Sequence, residues 1–331
     1  MLLYDKYKPK DINFTFFNKK IYDMIKKMCN DESIPHLCFY GTNGSGKHTI
    51  VRILLEMIYN KDINILTDNI YTINGSGNKE VEISIKQSNF HVIITPNNNN
   101  FDRYLIQDVV KKYAQEFPLN IFETKRQFKV ILINNMDNLS YLAQTSLRRT
   151  MEKYSNTCRF IMICESLNKI IEPLQSRCLC IRINSPTDKE LLKFLLQISY
   201  YEKIKPSLDD FSKIIQYSNG NIRTALLFLD QFKVYKYIQA GLYDEKIKKI
   251  GLLILTNNIL NIEKIREIIY SLLITNIPSS IILRNITANL LVSNMSNKKK
   301  ILENASKYEF NLLRGRRDII HFDAFITSLM D

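Results

Sequence analysis

The chain has 331 residues, 45% of them apolar, and its 46 basic and 33 acidic residues leave a net charge of +13. That length can bury the cores of two or three domains. Charge enters too early, at Asp5 and Lys6, for a signal peptide, and no apolar run approaches the length that spans a bilayer, so a secreted or membrane protein is not expected.

The basic surplus favours a polyanionic partner, because Lys and Arg that face phosphates release condensed counterions. Part of it reflects a general enrichment in Asn, Ile and Lys of the kind an AT-rich genome produces. Six cysteines without a CxxC pair and four histidines without ligand spacing offer no metal site and no disulfide framework. Most of the cysteines sit in apolar runs and read as reduced core residues in a reducing compartment.

In chain order, Tyr4 to Lys10 reads as extended, because Pro9 disfavours helix before it. A helix is predicted from Asn18 to Cys29, with Ile21, Met24, Ile25 and Met28 on its inner face. Leu37-Cys38-Phe39-Tyr40 is a buried-type strand, followed by Gly41-Thr42-Asn43-Gly44-Ser45-Gly46-Lys47-His48-Thr49 and an apolar helix. This is strand, phosphate loop, helix. Glycines let backbone N–H groups turn around an anion, the helix dipole points at the same spot, and Lys47 reaches the outer phosphates. His48 stands where such loops carry the Ser or Thr that ligates Mg²⁺.

Glu80 to Thr95 alternates as a hairpin with solvent on one side, and Asn97 to Asn100 is a polar loop. A helix over 102–114 turns Leu105, Val109 and Tyr113 inward and Arg103, Lys111 and Lys112 outward. Phe128 to Ile133 is a second buried strand, and it ends in Asn134-Asn135 where a phosphate-loop NTPase presents an acidic pair for Mg²⁺ and the attacking water. Asn takes no proton, and a lost general base alone costs roughly a hundredfold to ten-thousandfold in rate. Asp137 is acidic but three residues late, and reads as a loop or cap residue.

Ser140 caps a helix that runs to Tyr154. Strands follow at 160–164 and 179–183, separated by Leu174-Gln175-Ser176-Arg177-Cys178. Alternating strands and helices behind a phosphate loop predict a mostly parallel α/β sheet with its ligand at the carboxyl ends of the strands. Beyond Pro186 the pattern is helical only, over 188–199, 208–216, 221–234 and then 247–331. The basic runs at 298–300 and 314–317 read as solvated.

Five motifs occur in one order: Tyr7-Lys8-Pro9, the loop from Gly41 to Thr49, Leu147-Arg148-Arg149-Thr150-Met151-Glu152, Ser176-Arg177-Cys178 and Asn219-Gly220-Asn221-Ile222-Arg223. Together they resemble a small subunit of replication factor C, the AAA+ clamp loader that places a sliding clamp around primer-template DNA, and in particular the eukaryotic subunit whose Walker B motif is degenerate. The resemblance implies an AAA+ nucleotide-binding domain over 1–184, a helical lid over 185–238 and a helical collar for oligomerisation over 239–331. It implies that Tyr7 and Pro9 lie at an adenine, that Lys47 and the loop hold the phosphates of ATP or ADP, and that Arg223 is the sensor 2 arginine. Arg177 corresponds to the arginine finger donated to a neighbouring subunit's nucleotide, which leaves Cys178 a packing residue. Arg103, Lys111 and Arg149 correspond to helices facing the DNA channel, and Arg148 to a subunit interface.

Glu165 stands where the family often has the sensor 1 Asn, and with His48, Asn134 and Asn135 it makes Mg²⁺ binding doubtful and argues against hydrolysis. The resulting expectation is an ATPase-deficient subunit of a hetero-oligomeric loader, with the other subunits, the clamp and primer-template DNA as partners. Its site of action would be the nucleus, or a viral replication compartment if the source is a virus. The alternatives are an active AAA+ ATPase that remodels nucleoprotein complexes with Asp137 as a displaced acid, and a DNA-binding scaffold without nucleotide.

Overall fold

Three strands, β1 (His36–Tyr40), β5 (Lys129–Ile133) and β6 (Cys158–Cys164), are buried at nearly every position, so the sheet they form needs cover on both faces. The computed structural model describes residues 2–9, 17–30, 34–59, 66–74, 80–88, 90–96, 102–115, 128–238, 241–256, 258, 261–275, 277–292, 298–315 and 317–330. The polar loop read at 97–100 lies outside these. With β2 (Thr67–Asn74), β3 (Glu80–Gln87), β4 (His91–Ile94) and β7 (Cys178–Arg182), the sheet has seven strands in the order β2-β3-β4-β5-β6-β1-β7. From β4 to β7 neighbouring strands are parallel, and β2 and β3 extend the β4 edge in antiparallel fashion. The predicted hairpin is therefore β3 and β4, and β2 is a partner that the sequence reading missed.

Helices cover the two faces. On one, α2 (Lys19–Asn30) and α3 (Lys47–Tyr59) bury Tyr22, Ile25, Ile50 and Leu54 against Leu37, Phe39, Val130 and Ile161. The inward face of α2 is rotated from the expected one. Met24 is exposed and Tyr22 is buried in its place, one turn before Ile25 on the same face. On the other face lie α6 (Tyr141–Lys153), α7 (Glu172–Gln175) and a helical run in three pieces: α4 (Asp102–Tyr104), a π-helical segment (Leu105–Val110) and α5 (Lys111–Gln115). The wider π turn keeps two columns, Leu105 with Val109 and Ile106 with Val110, on the sheet side, where a single α stripe was expected.

A three-helix bundle completes this unit: α8 (Asp188–Tyr201), α9 (Leu208–Ser218) and α10 (Ile222–Tyr235). Capping boxes at Thr187/Glu190 and Ser207/Asp210 start α8 and α9, and Asn221 caps α10. Their core of Leu191, Leu195, Ile198, Phe211, Ile214 and Leu229 also receives Leu3. The extended arm expected at the N-terminus is instead a one-turn helix, α1 (Leu3–Lys6), because Leu3 is buried in that core and its N–H donates to Asp230 Oδ2 at 2.8 Å.

The chain divides into two compact units, Met1–Ile238 and Gln239–Asp331. The second unit is helical throughout its described residues: α11 (Leu242–Leu255), α12 (Asn261–Leu273), α13 (Ser279–Val292), α14 (Lys298–Arg314) and α15 (Asp318–Met330). Ile250, Ile269, Ile286, Phe322 and Phe325 form its centre, and Arg266 ties α12 to Asp323 of α15 at 2.7 Å. Among the described residues no helix is long and apolar enough to cross a membrane.

Two histidines are built into the first unit. His91 Nδ1 lies 2.7 Å from Ser88 Oγ, and His36 Nδ1 accepts the Phe160 N–H at 3.1 Å. Burial lowers both to about 4, with the Arg159 charge adding to the effect at His36. Each is thus neutral in the fold at pH values where the unfolded chain binds a proton. Stability is complete above about pH 6.5 and falls as pH drops towards 4. Melting temperatures recorded from pH 7.5 to 4.5 are expected to fall, and His91→Asn, which keeps a partner for Ser88 but cannot titrate, should flatten that fall.

Candidate nucleotide site

The phosphate loop leaves β1 and enters α3, so its N–H groups gather at the carboxyl end of an interior strand. Two glycines make the path possible. A Cβ on Gly41 would strike the Ile183 carbonyl, and one on Gly44, at φ 73°, would strike the side chain of Asn221. The loop is therefore pressed against the three-helix bundle, and the Ile222 N–H donates to the Gly44 carbonyl at 3.3 Å. Lys47 is buried, and its Nζ donates to the carbonyls of Gly41 (2.6 Å) and Thr42 (2.8 Å). Burial lowers its pKa, and the carboxylate of Glu165 pulls the other way. Ser45 Oγ closes the turn on the Thr42 carbonyl at 2.9 Å.

A cavity of about 280 Å³ opens over the loop. Of the residues singled out from sequence, Tyr7, Pro9, Asn43, Gly44, Ser45, Gly46, Lys47, His48, Thr49, Asn135, Glu165 and Arg223 line it. Gly41 and Thr42 face a groove on the far side of the loop, where Thr42 Oγ1 lies 2.5 Å from Ser185 Oγ. Asn134 does not reach the cavity; its amide lies 3.5 Å from Thr95 Oγ1.

Around the phosphate loop the charges are arranged unusually. Glu165 Oε1 accepts from Asn43 Nδ2 at 2.6 Å, which fixes a carboxylate beside the loop. His48 is kept neutral by partial withdrawal from water and by the cations Lys47, Arg223 and Lys8. Asp137 is occupied elsewhere, since its two oxygens accept the N–H groups of Glu165 (2.6 Å) and Ser166 (3.3 Å) and so fasten the end of β6. The cradle of N–H groups, Lys47 and a cavity with aromatic walls suits a nucleotide. The same residues are a poor fit to Mg²⁺, a hard cation that wants several anionic oxygens. His48 offers nitrogen, Asn135 an uncharged amide, and Glu165, the one carboxylate along the cavity wall among the described residues, is engaged by Asn43.

The wall facing the loop was largely hidden in the sequence. Tyr4 accepts from Arg223 Nη2 at 3.1 Å and lies under its guanidinium at 4.9 Å. Phe17 and Phe194 meet edge-on at 5.1 Å. Glu202, at the end of α8, accepts from Lys6 (2.6 Å), Tyr7 Oη (2.7 Å) and Lys233 (2.8 Å). Those bonds, Lys233's first, hold its carboxyl down at about 2, while burial and the same carboxylate push the Tyr7 phenol up to about 12. The N-terminal arm is thereby fixed to the bundle.

Arg177 lies outside this cavity. It is partly exposed, with Nη2 at 2.5 Å from Glu152 Oε1 and Nη1 donating to the Pro173 carbonyl at 2.7 Å. Burial pushes the neighbouring Cys178 thiol up to about 12, which leaves it inert. Gln144, buried on α6, donates to the Leu139 and Lys169 carbonyls and accepts the Ile171 N–H, joining the loops after β5 and β6. Arg103, Lys111 and Arg149 are exposed, on helices joined by a Gln107–Ser146 hydrogen bond at 3.3 Å.

A phosphate loop on an interior parallel strand, helices on both faces and a three-helix bundle packed beside the loop make up an AAA+ architecture. Residues 243–331 match the family described as Replication factor C subunit 3, C-terminal domain, and residues 17–187 match DNA polymerase III, delta subunit. The chain is 40% identical to a putative replication factor C small subunit of Acanthamoeba polyphaga mimivirus, over 100% of this chain and 90% of that one. It is 34% identical to replication factor C subunit 5 of Saccharomyces cerevisiae, over 98% of each. Against replication factor C subunit 3 of Homo sapiens it is 30% identical, over 98% of this chain and 94% of that one. Among solved structures, Thermotoga maritima RuvB, a Holliday junction branch migration motor, covers 73% of this chain at 14% identity with a TM-score of 0.48. The chain belongs to the replication factor C small subunits, and so to the clamp loaders.

Replacing Glu202 with Ala removes the one acceptor shared by Lys6, Tyr7 and Lys233. The expected loss is about 1–3 kcal/mol in urea unfolding of the full chain, with the α1 amides exchanging faster by hydrogen exchange.

Proposed function

We propose that this chain is the nucleotide-holding, non-hydrolysing member of a hetero-oligomeric clamp loader. One observation carries the reading: at the loop that binds phosphate, every group that would serve a metal-dependent cleavage is replaced, while every group that would hold a nucleotide is kept. His48 stands for the hydroxyl ligand, Asn134 and Asn135 for the acidic pair, and Glu165 sets a carboxylate 2.6 Å from Asn43 of the loop. Lys47, the loop N–H groups, Arg223 and the arm with Tyr7 and Pro9 remain around one cavity. A bound ATP or ADP would have its phosphates on the loop N–H groups and Lys47, its base under the arm, and Arg223 reaching in from the lid. Lys47 would exchange its two carbonyl partners for phosphate oxygens.

The chemistry contributed to the assembly is then the cation of Arg177, offered to the nucleotide of an adjacent subunit. Its position outside this chain's own cavity agrees with such a role. Arg103, Lys111 and Arg149, all exposed, would follow the phosphates of primer-template DNA, and residues 239–331 would join the ring as a collar. The sliding clamp is the substrate of the whole assembly. The kinship with a viral subunit makes a viral replication compartment a site of action alongside the nucleus. Asp137 does not favour an active enzyme, because both its oxygens are already taken by backbone N–H groups.

Isothermal titration of the pure subunit should detect ADP or ATP binding that is indifferent to EDTA and lost in Lys47→Ala, with no Mg²⁺-dependent phosphate release above background. Failure to bind nucleotide would favour a scaffold, and turnover would favour a remodelling ATPase. In the reconstituted loader, Arg177→Ala should lower cleavage at the neighbouring site by about a thousandfold while the subunits still co-elute.

A further inference from the structure

The carboxylate that holds Arg177 sits between two arginines. Glu152, on the last turn of α6, bonds Arg177 Nη2 at 2.5 Å, and the same oxygen lies 3.8 Å from Nε of Arg148, one turn back on the helix. Arg148 Nε is buried and, among the described residues, makes no hydrogen bond. Arg177's second terminal nitrogen is held as well, by the Pro173 carbonyl at 2.7 Å, so both ends of its guanidinium fork are taken up within the chain. Both terminal nitrogens thus face groups of the same chain, and a phosphate in another subunit has to compete with these contacts for the guanidinium.

We propose that Glu152 is a positioning residue that keeps Arg177 retracted, and that Arg148 takes over the Glu152 carboxylate when Arg177 is delivered to a neighbour's nucleotide. The inference rests on the finger role of Arg177. The exchange is physically easy. Both sides of the Arg177–Glu152 pair are well exposed, at 38% and 44%, and exposed ion pairs are weak. An isolated carboxylate left behind would oppose delivery, but Arg148 already stands within about 1 Å of hydrogen-bonding distance on the same helix. Two arginines thus approach one carboxylate oxygen, and either can neutralise it when the other departs. The neighbour's triphosphate, with several negative charges, draws Arg177 away, and the Arg148–Glu152 pair compensates within the helix.

The two flanking substitutions should act in opposite directions. In the reconstituted loader, with the other phosphate loops inactivated, single-turnover ATP cleavage at the site facing Arg177 would be followed with and without DNA. Glu152→Gln keeps the shape and removes the charge, and it should raise the DNA-independent rate about fivefold or more, a coupling of ordinary size. Arg148→Met withdraws the competing donor and should lower the rate. Both effects should vanish in an Arg177→Ala background, whereas a merely structural role for Glu152 would persist there and would lower the melting temperature. If Arg177→Ala leaves cleavage unchanged, the finger role and this inference fall together. If Arg177→Ala lowers cleavage but Glu152→Gln matches wild type, or slows it, the holding role alone is overturned.

Discussion

The first unit depends on one close approach, that of the phosphate loop to the cap of α10. Gly44 leaves no room for a Cβ beside Asn221, and Asn221 must in turn accept the N–H groups of Arg223 and Thr224 to begin its helix. A single amide side chain therefore starts the lid's third helix and abuts the loop that wraps the phosphates. Arg223 is the second residue of that helix, so its reach into the cavity is set by the same contact. The main-chain bond from Ile222 to Gly44 adds direction to what would otherwise be only van der Waals contact.

Around this contact lie Lys47 and the loop N–H groups. His48, Asn134 and Asn135 stand in place of the residues that usually serve a metal and a water, which is the basis of the function proposed above. The two sets of groups have different structural owners. Phosphate capture belongs to backbone geometry and to Lys47, whose ammonium is held by carbonyls of its own loop and is ready before any ligand arrives. Metal and water activation belong to a few side chains at strand ends, and these can change without cost to the sheet. Asp137 illustrates the point: it is acidic and close by, yet it serves as a clasp for the end of β6.

The phosphate loop and the lid were legible in the sequence because their signals are local. Glycine spacing with a lysine at a helix start, and apolar residues at helical spacing, need only a few neighbouring residues to be read. The arm was misread because its helix is sustained by burial of Leu3 and by Asp230, more than two hundred residues away, and by no propensity of its own. Glu202 was invisible for the same reason, since its three donors come from both ends of the first unit. Tyr22 replaced Met24 inside because the observed face, Ile21, Tyr22, Ile25, Met28 and Cys29, also keeps helical spacing, and spacing alone could not choose between the two faces. Glu152 and Arg177 were both in view as parts of motifs, but nothing along the chain says that they touch.

The anchoring of Leu3 carries one mechanical consequence. The arm that bears Tyr7 and Pro9 is covalently continuous with the sheet domain, yet it is packed and bonded to the lid through Leu3, Asp230 and Glu202. On its other side the Pro9 carbonyl accepts from Arg52 Nη2 of α3 at 2.6 Å, so the arm is bonded to the three-helix bundle and to the phosphate-loop helix alike. The arm cannot part from either side without breaking the Arg52–Pro9 bond or the bonds of Lys6 and Tyr7 to Glu202. It acts as a clasp across the cavity, joining its two walls at the end of the chain where the sequence shows least.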